Sequence, residues 1–525
     1  MNKLRDSLPF LAILSGVIFS LYLLSLIPDH LYYSGDGGLK ALLAQQIANG
    51  EIRFDLNLKV SSWVQSVWNS GLYPFEAPFS YKINNLYYIT FPFTFPLVTA
   101  PFYAIFGYRG FYIIPLVSTW IIWVDFYRLC LILKLNRIIS LVGLIIIIFA
   151  SPLTMYSAMY WEHTLAVCLA FTGLVSVIYH QKNYLNKIPM IWSGIFIGLA
   201  VWFRPEFLAL IAVLLIMVIA SYVLKFESIK LVQFHRAIFL ASLILTVIGF
   251  FACNKIIYDH PLGAHAFQVV ENFSIQERLL KSYKFFHNLR ENLSRYFPIL
   301  HFAIAIIFTG IFRANLRLKS EIKQIILISG LYMLFVPILI PSDGGKQWGP
   351  RFLLFLVPLI TIIAISNLEK IWKIKRFFIR YIIIGLLTVF FGLGLNINIV
   401  KGIEKVYQKD KQENLQVLQF LNQDNNQYVA VANQYVGQIF PSAFAEKVFF
   451  LTKEQKDISQ LAVALYQQEE SKFIYICPVY DDCFSRNPLP DQIEVTNNRR
   501  RLTIQLKQLQ ENRRFKIKEA NIIRG

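Results

Sequence analysis

Eleven long apolar stretches interrupt the first 400 residues of this 525-residue chain. A helix rising 1.5 Å per residue needs about 20 apolar residues to cross the ~30 Å hydrocarbon core of a bilayer. Lipid offers the backbone no hydrogen-bond partners, so such stretches cross as helices. We therefore predict spans at residues 8–27, 110–127, 138–157, 164–180, 188–203, 207–224, 237–254, 297–312, 324–341, 352–368 and 381–399.

The distribution of charge predicts which side of the membrane each loop occupies. The chain carries 51 basic and 32 acidic residues, but the tail from Lys401 to Gly525 holds 18 basic and 15 acidic ones, so the excess lies between the spans. Short basic loops stay in the cytoplasm. This places the N-terminus inside and the tail outside a multi-pass protein of the inner (plasma) membrane. A hydrophobic content of 56% excludes a conventional soluble enzyme, and no basic stripe indicates a nucleic-acid partner.

Phe91–Gly107 is apolar but fits this topology poorly, because an additional crossing would place the basic cluster Arg128–Arg137 outside. Its prolines at 92, 96 and 101 are expected to interrupt a regular helix, since each lacks an N–H donor. We interpret the stretch as an interfacial or re-entrant segment, with a true span as the alternative.

The first of two long outer loops, residues 28–109, contains the candidate base Asp36 just after the first span. Glycines surround it in Ser34-Gly-Asp-Gly-Gly, and a short amphipathic helix follows. A carboxylate here is placed to accept a proton from a substrate hydroxyl. The alternative is that Ser34 or Asp36 only caps the helix.

Two outer corners hold further ionisable residues. The first is Tyr-Trp-Glu162-His163, where the charged pair is either a functional site or a wet interface anchor. The second is Trp-Phe-Arg204-Pro-Glu206. Arg204 must find an anion, which is either a ligand phosphate or a carboxylate such as Glu206 in a self-contained pair.

The outer turn 342–351 is Gly-rich but lacks the spacing of a nucleotide-binding loop. Lys346 and Arg351 could hold a phosphate, and Trp348 could offer an apolar face to a sugar. The alternative is a surface turn with snorkelling cations. The second long outer loop, 255–296, starts within Asn-Lys-Ile-Ile-Tyr-Asp-His-Pro-Leu-Gly, which by itself indicates only a helix-exit turn.

The order of these motifs resembles the GT-C superfamily of integral-membrane glycosyltransferases. The motifs are an acidic residue after the first span, Trp-Glu-His, Arg-Pro-Glu, Asn-Lys-x-x-Tyr-x-x-Pro-x-Gly and Trp-Gly-Pro-Arg-Phe-Leu. The branch most like it is the protein-mannosyltransferase-like one that includes aminoarabinose lipid A transferase. The resemblance covers residues 1 to about 400 and implies an all-α, polytopic catalytic domain.

The resemblance further implies a sugar donor linked to a polyprenyl phosphate, used outside the cytoplasm with inversion at the anomeric carbon. Asp36 matches the catalytic base or acceptor-orienting residue, and Glu162 matches a second acidic residue. Candidate substrate-binding residues are His163, Arg204, Glu206, Lys346, Trp348, Arg351 and, as an approximate match, Lys82. No metal ligands are assigned, and the sequence leaves open whether a divalent metal assists.

The tail, residues 401–525, is rich in Gln and Asn and predicts a small extracytoplasmic α/β domain. Strands are expected at 428–433, 448–451 and 473–477, with helices at 408–421 and 456–468. Cys477 and Cys483 could form a disulfide on an oxidising outer side.

Rival functions remain open at this stage. A transporter or flippase would show inverted repeats and ionisable residues at mid-membrane, neither of which is clear here. A polymerase or ligase of surface polysaccharide would use the same kind of donor with a glycan acceptor. No residue in the sequence distinguishes a glycan acceptor from a lipid or protein acceptor. A non-catalytic scaffold would not need carboxylates and cations concentrated on one face.

Overall fold

The computed structural model describes residues 2–182, 187–223, 235–269, 274–312, 318–340, 347–372, 377–479, 490–497 and 500–524. The chain forms two compact units, each built from two stretches of sequence. The helical unit is Met1–Leu26 with Tyr112–Val406, and the mixed unit is Ile27–Phe111 with Tyr407–Gly525. Residues 28–109, predicted as an outer loop, belong to the same unit as the tail.

The helical unit consists of helices, most of which are apolar. Numbered along the chain, they are α1 (Asn2–Ser25), α5 (Ile113–Ile132), α6 (Arg137–Phe149), α7 (His163–Lys182), α8 (Ile188–Phe203), α9 (Leu208–Val223), α10 (Arg236–Tyr258), α11 (His265–Val269), α12 (Ile275–Tyr296), α13 (Ile299–Phe312), α14 (Ser320–Leu339), α15 (Leu356–Ile365), α16 (Leu368–Trp372) and α17 (Phe377–Leu395).

The lengths of the apolar helices test the predicted number of membrane spans. In the described residues six helical stretches are long and apolar enough to cross a membrane: Ser7–Ser25, Thr94–Ile132, His163–His180, Ala237–Tyr258, Ser320–Leu339 and Arg380–Gln423. Each of the other predicted spans overlaps an apolar helix of 10–17 residues. These are short for a complete crossing. The chain is therefore a multi-pass membrane protein, and the count of eleven stays a prediction.

One buried acid lies within the span α5. Asp125 accepts a hydrogen bond from the Thr172 hydroxyl of α7 at 2.6 Å and pairs with Arg128 at 2.7 Å. Both carboxylate oxygens are therefore bonded. This removes most of the penalty of a buried charge and links the two helices.

The mixed unit contains a six-stranded sheet with helices. Its elements are α2 (Gly35–Ala48), α3 (Ser62–Val67), β1 (Ser80–Ile83), β2 (Leu86–Ile89), α4 (Thr94–Phe106), α18 (Lys411–Gln423), β3 (Tyr428–Val431), α19 (Gln434–Ile439), β4 (Val448–Leu451), α20 (Gln455–Gln467), β5 (Lys472–Pro478), β6 (Gln492–Asn497), β7 (Arg500–Glu511) and β8 (Phe515–Arg524). The sheet order is β4-β3-β5-β8-β7-β6, and β1 and β2 form a separate hairpin.

The three strands predicted for the tail are present as β3, β4 and β5, which pair in parallel. The two predicted helices correspond to α18 and α20. Strands β6, β7 and β8 were not predicted; they add an antiparallel half to the sheet. The tail therefore contains helices and a sheet, as predicted, but the sheet has six strands where three were expected.

The prediction that prolines break Phe91–Gly107 is wrong in one respect. Residues Thr94–Phe106 form the continuous helix α4, which includes Pro101 in its interior. Pro96 lies in the first turn, where an N–H has no intrahelical partner anyway. Sequence therefore overstated the helix-breaking effect of proline at these positions.

Residues of the first loop share the core of the tail. Leu31 is fully buried in the same apolar cluster as Val429, Phe449 and Ile474 of the sheet. The Trp68 indole N–H donates to the Phe449 carbonyl at 3.0 Å. Burial of apolar surface at roughly 25 cal/mol per Å² is the main force that holds the two stretches together.

Candidate active site

Two polar corners of the helical unit meet around Arg204. This residue ends α8 in an extended conformation, and Pro205 starts the next turn. Its Nε lies 2.7 Å from Glu206 Oε1, and its Nη1 lies 3.0 Å from Glu162 Oε1. All three side chains are buried. The corners 160–163 and 202–206 thus form one ion triad, Glu162–Arg204–Glu206, as their shared predicted side requires.

Arg204 keeps its charge despite burial. Removal from water alone would lower the pKa of the Arg204 guanidinium, but Glu206 and Glu162 raise it above its usual range. With two carboxylates and one guanidinium the triad has a formal charge of −1. Glu206 Oε2 is buried and has no hydrogen-bond partner among the described residues. It is an acceptor that a ligand hydroxyl could use.

A second guanidinium lies beside the triad. Arg351 is 9% exposed, and its guanidinium carbon is 5.0 Å from the centroid of Phe352 and 5.4 Å from that of Trp161. Arg204 lies 5.2 Å from the same Phe352 ring. Because both arginines lie over the Phe352 ring, the Trp-Gly-Pro-Arg-Phe-Leu motif meets the two earlier corners. Arg351 makes the group formally neutral before any ligand binds.

His265 belongs to this group although the sequence analysis did not select it. The residue begins α11, directly after the Pro-Leu-Gly exit of α10. Burial lowers its pKa to about 4, and the charges of Arg204 and Arg351 act in the same direction. The imidazole is therefore neutral near pH 7. The sequence signal that could have identified this residue is its position, two residues after the Asn-Lys-x-x-Tyr-x-x-Pro-x-Gly motif.

His163 and Trp348 occupy aromatic packing positions. His163 lies 5.1 Å from the ring of Trp161 and 5.7 Å from that of Tyr156. The Trp348 indole N–H donates to Asn398 at 3.2 Å, and its carbonyl accepts from the Tyr156 hydroxyl at 2.7 Å. Both side chains are buried.

Asp36 lies in the mixed unit, in the first turn of α2. The capping alternative receives little support from Ser34, because its side chain makes no capping hydrogen bond. A Cβ atom on Gly35 or Gly38 would overlap Gln438 of α19, so these glycines let the turn that carries Asp36 rest directly on the tail. The Asp36 charge is felt by Tyr435, one helical turn before Gln438.

The remaining predicted residues are Lys82, Cys477, Cys483 and Lys346. Lys82, in the β1–β2 hairpin, donates to Asn69 at 3.1 Å and lies 5.4 Å above the Tyr87 ring. Cys477 is disulfide-bonded. Its predicted partner Cys483 and the candidate cation Lys346 lie outside the described residues.

Metal chemistry has no assigned ligands here. Among the described residues no group of three or more His, Cys, Asp or Glu side chains is arranged to hold a metal ion.

Comparison with known proteins identifies the fold. No family model matches the sequence, and no curated protein matches it. The chain is similar to the crystal structure of ArnT from Cupriavidus metallidurans in the apo state, with a TM-score of 0.55, 11% identity and 97% of each chain covered. A second structure of that protein, bound to undecaprenyl phosphate, has a TM-score of 0.55 at 10% identity, again with 97% of each chain covered.

The apo oligosaccharyltransferase from Archaeoglobus fulgidus gives a TM-score of 0.58 at 12% identity, over 90% of this chain and 70% of that one. At these identities the likeness concerns the fold. The chain shares the fold of these structures, which agrees with the fold that the motif order predicted.

Proposed function

We propose that this protein is an integral-membrane glycosyltransferase that transfers a sugar from a polyprenyl-phosphate-linked donor to an acceptor hydroxyl on the extracytoplasmic face, with inversion. The main support is the buried group Glu162–Arg204–Glu206 with Arg351, placed at span ends in a chain of this fold. Similar structures contain undecaprenyl phosphate in one case and dolichol phosphate in another.

The reaction needs one base and a site for the leaving phosphate. The acceptor oxygen attacks the anomeric carbon and forms the new C–O bond, while its proton passes to the Asp36 carboxylate. The bond between the anomeric carbon and the phosphate oxygen breaks, and its electron pair leaves with the polyprenyl phosphate. Fixed cations in a partly dry site stabilise that charge by several kcal/mol, because water screens them less.

The contacts favour different roles for the two arginines. Arg204 already faces two carboxylates at 2.7 and 3.0 Å, which offset its charge. The Arg351 guanidinium lies over the rings of Phe352 and Trp161, which orient it. We assign the donor phosphate to Arg351, with Lys346 as a second candidate cation. Glu162 and Glu206 hold Arg204, and Glu206 Oε2 is a candidate acceptor for a sugar hydroxyl. His163, Trp348 and Lys82 remain weaker candidates.

The decisive assay supplies purified protein in lipid with a panel of polyprenyl-phosphate sugars and measures release of polyprenyl phosphate by mass spectrometry. Wild type should consume at least one donor when acceptor lipids, glycans or peptides are added. Asp36→Asn should abolish turnover without lowering yield or thermal stability, because the amide keeps the shape but cannot accept the proton. Wild-type turnover by this variant would remove Asp36 from the mechanism.

Sidedness is tested separately. Lys59 of the mixed unit and Lys255 at the end of α10 are exposed, and both are predicted to lie outside. Lys59→Cys and Lys255→Cys, made in a background without the three free cysteines, should both react with a membrane-impermeant maleimide in whole cells. Labelling of only one would contradict the topology on which the reaction depends.

A further inference from the structure

Helix α12 belongs to the predicted outer loop 255–296 and is polar overall, yet several of its large apolar side chains are exposed. Ile275, Leu279, Leu280 and Tyr283 are each more than half exposed. Residues four apart on a helix share a face, so Ile275, Leu279 and Tyr283 form one apolar stripe, and Leu280 borders it. An exposed apolar stripe on a polar helix indicates a surface that something other than water covers.

Contacts within the helical unit hold both ends of α12 where apolar helices end. In its first turn, Arg278 Nη2 donates to the carbonyls of Ile338 and Leu339 at 3.2 and 3.1 Å. These two residues end α14, which is long and apolar enough to cross a membrane. At the other end only Phe297 and Pro298 separate α12 from the apolar helix α13. The polar helix is therefore held at the level of the membrane surface.

A different face of α12 packs on the helical unit. Phe285 is buried, and its ring centroid lies 5.5 Å from that of Phe352 in the candidate active site. Leu289 and Leu293 continue this buried face. At 100° per residue, Phe285 lies about 120° around the helix from Leu279. The apolar stripe is thus beside the packed face and outside it.

Two exposed cations accompany the apolar stripe. Arg290 follows Tyr283 by seven residues and returns to the same side of the helix, and Lys284 follows Leu280 by four. Neither side chain has a hydrogen bond or an ion pair with a residue that the structure describes. The whole helix carries five basic and two acidic residues, a net charge of +3. This charge complements an anionic surface.

We propose that α12 docks on an anionic phospholipid surface at the ends of the spans. The apolar stripe lies at the boundary between headgroups and acyl chains, and Arg290 and Lys284 bind lipid phosphates. The position of α12 at span ends favours lipid as the partner, because the bilayer surface is present at that level. The inference does not depend on the proposed transferase activity. It assigns a role to the outer side of a helix whose inner side packs on Phe352.

The test uses full-length protein in lipid nanodiscs, in the background without the three free cysteines. Leu279→Cys carries an environment-sensitive fluorophore, and a phospholipid with a spin label near its headgroup is the quencher. Nanodiscs that contain phosphatidylglycerol should quench this probe more than nanodiscs of phosphatidylcholine alone. High salt should reduce the difference, because it screens exposed charges.

Asn288→Cys is the matched control position. Asn288 is also exposed, and nine residues at 100° each place it on the side of the helix opposite Leu279. The same fluorophore at this position should be quenched weakly in both kinds of nanodisc.

Arg290→Gln tests the cation. One basic residue near an anionic surface changes the ratio of docked to undocked helix roughly fivefold, so quenching of the Leu279→Cys probe should fall. Lys281→Gln removes the same charge from the opposite side, nine residues earlier, and should change the quenching little. Both side chains are exposed, so neither variant should shift the thermal midpoint.

Three results would overturn the inference. The first is equal quenching of the probes at positions 279 and 288, and the second is quenching at 279 that does not depend on phosphatidylglycerol. The third is an equal loss of quenching in Arg290→Gln and Lys281→Gln. A probe at 279 that neither the lipid-borne quencher nor dissolved iodide reaches would show that protein covers the stripe, which would also overturn docking on lipid.

Discussion

Replacing Arg204 by methionine should be the most damaging single change in the helical unit. Met keeps an unbranched side chain of similar length but leaves Glu162 and Glu206 buried without their cation. Breaking a buried pair in this way costs about 3–5 kcal/mol, because a charge stays uncompensated in a low dielectric. At 1.4 kcal/mol per tenfold change, the ratio of folded to unfolded protein should fall at least about 100-fold.

A charge-neutral background separates this effect from loss of packing. In the triple variant Glu162→Gln, Glu206→Gln and Arg204→Met, no charge of the triad remains, so stability should recover to within about 2 kcal/mol of wild type. Arg53→Met is the matched control. Arg53 also pairs with a carboxylate at 2.7 Å, but 45% of its side chain is exposed, so its loss should cost at most about 1 kcal/mol.

Unfolding in mixed micelles, followed by tryptophan fluorescence, measures all of these variants. The reasoning fails if Arg204→Met costs no more than Arg53→Met, or if the triple variant is no more stable than the single one. Either result would mean that the carboxylates do not depend on Arg204, and its charge would then be available to a ligand phosphate.

Two further predictions concern packing and pH. Gly38→Ala should cost about 1–3 kcal/mol in a thermal melt, because the added Cβ overlaps a backbone carbonyl of α19; Gly330→Ala, where a Cβ meets nothing within 4 Å, should cost little or nothing. His265 takes up a proton near pH 6.5 when unfolded but only near pH 4 when folded, so stability should fall as pH drops from about 6.5 to 4. The loss is at most about 3 kcal/mol and smaller for a partly exposed ring, and His265→Gln should flatten the profile; an unchanged slope of melting temperature against pH would contradict it.

Motif order predicted the fold and predicted that polar turns distant in sequence come together, because both depend on which side of the membrane each turn occupies. Glu162, Arg204 and Arg351 come together as that argument requires. The same argument could not find His265, since a single His after an exit turn has no distinctive spacing. It also could not show that Trp348 bonds to Asn398 and Tyr156, which are distant in sequence.

The tail shows a different limit. Leu502, Ile504 and Leu506 alternate with polar residues, as expected of β7, but the neighbouring arginines obscured the pattern. No sequence pattern in residues 27–111 or in the tail predicted that the two segments fold together. Their association depends on long-range burial, such as Leu31 in the core of the sheet, which local periodicity cannot reveal.

The discontinuous mixed unit has a consequence for biogenesis. Its first stretch ends at Phe111, and its last element is completed only at Arg524. At roughly 5–20 residues per second, the ribosome needs on the order of half a minute or more to supply the missing strands. During that interval the helix carrying Asp36 lacks its docking surface, and the apolar side chains destined for the sheet are exposed. The helix that carries the proposed base Asp36 therefore gains its packing partner only after translation ends. We expect that loss of the last strand leaves an inserted but inactive protein.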